Sequence, residues 1–511
     1  MINQETLQLK LASLVDYAKN NLSLRQEDES YVVNALLDMF KLGAPASQTE
    51  AYKDFQTDIV DPIVDYAVEN GMTTPEERLL FETKLLGVVT PMPSSVVDKF
   101  DTIAANKGIK AATDFMYKLS IANNYIRMVD IKKNIKWEHT GKFGKIGITI
   151  NLSKPEKDPK QIALAKLLPK TGYPSCLLCP ENVGYAGNLN HPARQTLRIL
   201  PIKLGGENWS MQYSPYQYYE EHVIALSNEH RPMNVNGDAL FRLLDFVDLF
   251  PHYFIGSNAA LPIVGGSILT HDHYQGGSKV LPMFAVGERK YYSYAKLKNV
   301  KIAIADWYNS VVRVSGKSKF EVHEVATYVL DKWHDWTDES VGVICKTTEQ
   351  HNAVTPIARK EGDNYIIDLI LRNNRTDDEH PFGIFHPEER LHNIKKEGIG
   401  IIEVMGLFIL PGRLKNELET VKEYLTGKQN LNLKELNNPE NPMFKHAQMI
   451  VQLVNDNGSN CEKVFADKVV ENYVNNACEQ ILEYTAVFKN DEKGQTAFEK
   501  FMTEGLGFKE A

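Results

Sequence analysis

His271-Asp272-His273-Tyr274-Gln275-Gly276-Gly277 is the stretch on which the reading of this chain turns. It follows a small-residue approach, Val264-Gly265-Gly266-Ser267-Ile268-Leu269-Thr270. Read as a strand, it projects positions 271, 273 and 275 to one face, because strand side chains alternate. Two imidazoles and a carboxamide then stand in a row, beside glycines that admit a large ligand close to the backbone. An imidazole with a free ring nitrogen can attack phosphorus, and a carboxamide N–H can hold a phosphoryl oxygen. The competing reading is a metal-binding His-x-His. Such sites usually continue with another Asp or His close by, whereas this chain runs into Gln275-Gly276-Gly277-Ser278. The residues favour phosphoryl chemistry.

Working outward, the flanks read as sheet with few helices. Tyr253 to Gly256, Glu221 to Leu226 and Trp209 to Tyr213 suit strands, and Ala239 to Leu249 is apolar with helical period. Ile146, Ile148, Ile150 and Leu152 alternate strictly, which predicts a half-buried strand. Pro155 and Pro159 bracket a loop, and residues 160–169 suit a short helix. Before about residue 135 the pattern is helical. Leu7, Leu11, Leu14 and Ala18 recur at helical spacing, as do Tyr31, Ala35, Leu36 and Met39, and Ser94 and Gly108 mark a helix start and stop. Beyond 290, Phe320 to Trp336 reads as helix, Gly342 to Lys346 as extended and Tyr365 to Leu371 as strand. Gly400 to Leu410 is a strand or a strand–helix junction, and helical stretches follow from Leu414 with an Asn-rich loop at 437–441. The expectation is an α+β fold in three regions: a helical region over 1–134, a sheet domain carrying the motif over 135–290, and a second sheet domain with C-terminal helices over 291–511.

Composition narrows the function classes. With 511 residues the chain suits about two to four domains. Its 43% hydrophobic and 24% charged residues are those of a soluble globular enzyme. A formal charge of -9 argues against a general nucleic-acid surface. No secretory leader is expected from Met1-Ile2-Asn3-Gln4-Glu5, and apolar runs such as Ile399 to Leu410 are too short to span a bilayer. Five cysteines, of which only Cys176 and Cys179 are close, fit a reducing compartment, so a cytoplasmic location is expected. No glycine-rich dinucleotide fingerprint is present, so no redox cofactor is expected.

Cys176-x-x-Cys179 supplies half of a tetrahedral zinc site. The closing ligands would be histidines, with His230, in a turn-like Ser227-Asn228-Glu229-His230, and His271 as candidates. Alternatives are a plain reduced pair or a redox couple. With four protein ligands a zinc here would be structural. His191, His222, His252, His351 and His386 read as structural or exposed.

Taken together, these residues resemble a known family. Ser175-Cys176-Leu177-Leu178-Cys179-Pro180-Glu181-Asn182, then Ser227 to His230, Asn258, Gly265-Gly266-Ser267 and His271-x-His273-x-Gln275 stand in the order of the galactose-1-phosphate uridylyltransferases, within the histidine-triad superfamily. The helical N-terminal part and Ile401-Ile402-Glu403-Val404-Met405-Gly406 are similar to its second, bacterial type. The resemblance implies two histidine-triad-like, mainly antiparallel sheet domains. It implies His273 as the nucleophile that takes UMP from UDP-glucose, and Gln275 as the holder of the phosphoryl oxygens. Asn258 and Ser267 would contact nucleotide phosphates, Glu403 the hexose hydroxyls, and Cys176, Cys179, His230 and His271 a zinc ion. The substrates implied are UDP-glucose, galactose 1-phosphate, UDP-galactose and glucose 1-phosphate, with no nucleic acid or membrane partner and with a homodimer as an expectation. The better-known type carries a second metal site with a later His-x-His pair. Here Tyr365 to Leu371 has no such pair, so no second site of that kind is expected.

The chemistry suits the residues. A free imidazole titrates near 6.5, so it is a competent nucleophile around neutral pH. A sugar 1-phosphate leaves as a phosphate with a second pKa near 6, so no strong general acid is required. That is why a carboxamide can stand at 275 where related hydrolases carry a third histidine. Two substrates using one histidine in turn give ping-pong kinetics. The rival reading is a histidine-triad-type dinucleoside polyphosphate phosphorylase or nucleotide hydrolase.

Overall fold

The computed structural model describes residues 2–153, 172–266 and 268–511. The predicted loop at Pro155 and Pro159, the short helix at 160–169 and Ser267 lie outside the described residues. The fold is α+β with a helical N-terminal part. In chain order the described strands are β1 (Ile135–Gly141), β2 (Gly144–Asn151), β3 (Leu200–Leu204), β4 (Glu207–Tyr213), β5 (Val223–Ser227), β6 (Phe254–Gly256), β7 (His273–Gly277), β8 (Glu288–Ser293), β9 (Lys301–Ala305), β10 (Val311–Gly316), β11 (Asn352–Glu361), β12 (Asn364–Asn373), β13 (Leu407–Pro411) and β14 (Lys509–Glu510). The chain divides into two compact units, Met1–Val129 with Pro155–Arg231, and Asp130–Lys154 with Pro232–Ala511.

In the first unit, Asn3 starts the helix Gln4–Tyr17 by accepting from Thr6 N–H at 2.8 Å. Leu7, Leu11, Leu14 and Ala18 are buried, as their spacing predicts. The helix Gln26–Phe40 is present, but its buried stripe is Val32, Leu36 and Phe40, while Tyr31 is 78% exposed. The face is turned by one residue because Phe40 sits edge-on to Phe81, with ring centroids 6.0 Å apart. The helix Pro93–Lys107 opens on a proline and stops at Gly108, whose φ is 87°. Strands β3, β4 and β5 form an antiparallel meander in which Ile202 faces Trp209 and Trp209 faces Ser227. Glu221, expected in the last of these strands, has a φ of 53° and stands outside it. The buried Arg198 fastens the approach to the meander, donating from Nε to Pro91 O at 2.7 Å and from Nη2 to Thr90 O at 3.0 Å.

In the second unit, β1 and β2 form a hairpin, and β13 adds to β2 in parallel, Ile409 facing Thr149. Gly400 to Leu410 is thus a helical turn, Ile401–Val404, leading into a strand. The unit's larger sheet runs β14-β8-β9-β10-β12-β11-β6-β7, with every neighbouring pair antiparallel. Gly342 to Lys346 is not a strand: Gly342 is left-handed, and the segment makes only isolated bridges, Val343 to Asp338 and Lys346 to Gln350.

Residues opposite one another in an antiparallel ladder share a face. Tracing the register from Gln275 through Gly256, Ile357 and Asp368 to Arg313 separates two chemistries. One face carries Tyr274, Ile255, Val354, Ala358, Ile367, Leu369 and Leu371, which are buried, and it receives the helix Gly237–Leu249. The other carries His273, Gln275, Thr355, Arg359, Asp368, Arg372 and Arg313. This second face sets those polar side chains among Ile357, Ile366 and Ile370 and is mostly buried. At its centre the Asp368 carboxylate is fully buried and accepts from Arg313 Nε at 2.6 Å and from Arg359 Nη1.

Candidate active site

Strand β7 is placed by β6, whose Gly256 faces Gln275 and whose Ile255 faces Gly276. A Cβ on Gly276 would lie 2.1 Å from Phe254 O, so only glycine fits there. Gly276→Ala should therefore destabilise the protein by about 2–4 kcal/mol, read as a lower Tm in calorimetry. An unchanged Tm would show that the ladder at β7 is looser than described. Tyr274 turns to the apolar face, where its hydroxyl meets Arg242 Nη1 at 3.3 Å. His273 and Gln275 turn the other way.

The decisive contact is backbone to ring. His273 Nδ1 lies 2.7 Å from the His271 carbonyl oxygen. A carbonyl only accepts, so Nδ1 carries the proton and Nε2 keeps its lone pair. His273 is 6% exposed, and burial drives its pKa down to about 4 against the raising effect of that carbonyl. The ring is neutral, and its tautomer is the one a nucleophile needs.

The other expected residues fall into two groups. Asn258, directly after β6, accepts at Oδ1 from Ile401 N at 2.8 Å, and a Cβ on Gly266 would lie 2.6 Å from its Nδ2. Glu403 is buried, accepting from Lys395 Nζ at 2.9 Å and from Gly400 N at 3.2 Å. Asn258 and Glu403 thus meet at the turn Gly400–Val404, in the unit that holds His271, His273 and Gln275. In the first unit, Cys176, Cys179 and His230 come together. The sulfurs are 3.5 Å apart, and Cys179 Sγ is 3.1 Å from His230 Nδ1. At 3.5 Å the pair is not a disulfide, whose S–S distance is near 2.05 Å. All three ligand atoms lie within 4.8 Å of one another, so this Cys/His group can hold a metal ion. Two thiols and an imidazole are the donor set zinc prefers.

Two supports escape a reading of the sequence. Asn182 Nδ2 donates at 2.8 Å to the carbonyls of both Cys176 and Cys179, and its Oδ1 accepts from His191 Nε2 at 2.6 Å. His191, expected to be structural or exposed, braces the cysteine turn. An Asn three residues after a Cys-x-x-Cys is the available signal.

Residues 24–232 match the family model "Galactose-1-phosphate uridyl transferase, N-terminal domain", and residues 246–438 match its C-terminal domain. This chain belongs to the galactose-1-phosphate uridylyltransferase family. Relatives bearing the name galactose-1-phosphate uridylyltransferase run along nearly all of it. That of Caldanaerobacter subterraneus subsp. tengcongensis is 49% identical, covering 93% of this chain and 93% of the relative. Those of Clostridium acetobutylicum (44% identical, 98% and 99% covered) and Bacillus subtilis (42% identical, 98% and 98% covered) extend further. No solved structure gives a significant match. Among the described residues no helix is long and apolar enough to cross a membrane.

Proposed function

We propose that this chain is a UDP-glucose:α-D-galactose-1-phosphate uridylyltransferase working through a uridylyl group carried covalently on His273. The observation that carries the reading is the proton held on His273 Nδ1 by the His271 carbonyl, with Nε2 left as the nucleophile. In the first half-reaction Nε2 forms a bond to the α-phosphorus of UDP-glucose. The bond from phosphorus to the glucose 1-phosphate oxygen breaks, and that oxygen keeps the electron pair. The uridylylated ring is cationic, and its Nδ1–H still donates to the carbonyl. In the second half-reaction an oxygen of galactose 1-phosphate bonds to phosphorus, the electron pair returns to Nε2, and UDP-galactose leaves. Gln275 donates to the phosphoryl oxygens as charge grows there and has no proton to relay. Asn258 and Ser267 are assigned to nucleotide phosphates, and Glu403 to hexose hydroxyls.

His271 is assigned as the fourth ligand of a structural zinc with Cys176, Cys179 and His230. Support comes from the three gathered donors and from the position of His271, whose carbonyl orients the nucleophile. A metal with four protein ligands steadies the fold and takes no part in the bond changes. Elemental analysis should find about one zinc per chain in the purified protein, and Cys179→Ser should lose it with a lower Tm. Full zinc in that variant refutes the ligand set. None of the five cysteines is in a disulfide, which suits the proposed cytoplasmic setting.

The test of the main reading is direct. Incubation with UDP-glucose alone should add the mass of one uridylyl group to the intact protein and release glucose 1-phosphate. An unmodified mass after full exposure would refute it. It would leave the dinucleoside phosphorylase reading to be assayed.

A further inference from the structure

On the polar face of the second unit's sheet one buried guanidinium is left incompletely hydrogen-bonded. Arg372, on β12, is 1% exposed. Its Nη2 donates to Ile399 O at 2.8 Å, but its Nη1 is buried without a hydrogen bond. The nearby carboxylate, Glu403, is already bonded to Lys395 and to Gly400 N. Asp368, on the same face of the same strand, is held by Arg313 and Arg359. Lys395 is answered by Glu403 and by the nearby charge of Glu397, so the incompletely bonded cation is Arg372. A buried, incompletely bonded guanidinium is costly unless an acceptor, best an anion, meets it.

One more buried group points the same way. Thr355 lies diagonally across the β11–β12 ladder from Arg372, on the same face, and its Oγ1 makes no hydrogen bond. A cation and a hydroxyl match the oxygens of a phosphate monoester. Neutral sugar hydroxyls would leave the charge unanswered.

We propose that Arg372 and Thr355 form the subsite for the phosphate of the sugar 1-phosphate, the group that leaves in the first half-reaction and attacks in the second. The proposal rests on the transfer reading for its substrate, though not for its anion chemistry. Gln275 and His273 would then serve the α-phosphoryl group, and Arg372 its neighbour. The turn Ile399–Gly400, fixed by the Arg372 Nη2 bond, joins this subsite to Asn258 and Glu403.

The experiment measures binding by calorimetry to protein carrying His273→Ala, so that no covalent step intervenes, with glucose 1-phosphate, inorganic phosphate and uridine 5′-monophosphate as separate probes. Arg372→Gln should weaken glucose 1-phosphate about 10- to 100-fold and Thr355→Val about 3- to 10-fold, while uridine 5′-monophosphate binds as before. Inorganic phosphate should follow glucose 1-phosphate. Thr355→Val removes only a hydroxyl, so it carries the test if Arg372→Gln fails to fold. Unchanged glucose 1-phosphate affinity in Thr355→Val and in any folded Arg372 variant overturns the subsite. Equal weakening of all three probes overturns it too, because Arg372 would then be positioning the whole site. If unmodified His273 takes no uridylyl group while glucose 1-phosphate still depends on Arg372, the transfer reading fails and the anion subsite stands.

Discussion

Replacing His273 with alanine should lower uridylyl transfer by about four orders of magnitude or more and abolish the covalent adduct. No other described group offers the same combination of a neutral imidazole, a tautomer fixed by a 2.7 Å contact to the His271 carbonyl, and a carboxamide on the same strand face. The variant should fold, because the β7 ladder is made by backbone groups and by Gly276. It should also bind nucleotide. The measurement is glucose 1-phosphate release from UDP-glucose, with intact mass in parallel. A variant that keeps a hundredth of normal turnover, or still gains the uridylyl mass, would move the nucleophile elsewhere. Gln275→Ala is the milder companion, with a loss of about 10²–10³-fold, the scale of removing one oxyanion donor.

Asp368→Asn should be the costliest single change in the second unit, at about 3–5 kcal/mol. The carboxylate is fully buried between Arg313 and Arg359, so an amide leaves two cations facing each other without their shared anion. Burial opposes ionisation of Asp368, but the two guanidiniums outweigh it and hold the carboxyl below its usual range. The pH dependence follows. The unfolded chain, with its carboxyl near 3.9, binds more protons than the folded one in mild acid. Stability from this group is therefore complete above about pH 4–5 and falls as pH drops towards the folded value. An amide at this position cannot titrate, so the variant should start less stable and lose less between about pH 5 and pH 3. Denaturant unfolding at several pH values reads both effects. Parallel acid slopes in the two proteins would remove Asp368 as the titrating group.

What is legible in the sequence depends on period. The alternation of 273 and 275 survives, because strand geometry allows no other arrangement once β6 pairs with β7, whereas His271 stands in a bend before the strand. The helices at Leu7 to Ala18 and Ala239 to Leu249 show their stripes plainly. The Gln26–Phe40 helix is legible, but its face is not, since Tyr31 and Val32 both fit a helical repeat and only Phe81 decides between them. The polar sheet face is hidden. Tyr365 to Leu371 reads as an apolar strand with one acid, and nothing local reveals that Asp368 meets arginines 55 and 9 residues away. Thr355 carries no motif, and its interest arises only from a buried hydroxyl without a partner. Strands β8 to β11 escape a local reading, because their neighbours in the sheet are what define them.

The parallel seam between β2 and β13 has a consequence for biosynthesis. The hairpin Ile135–Asn151 emerges early from the ribosome, yet its third strand, Leu407–Pro411, is translated far later. At about 5–20 residues per second, the hairpin waits on the order of ten to fifty seconds with an open edge. During that interval it is a natural client for a chaperone, and a stall before Leu407 would strand it half-assembled.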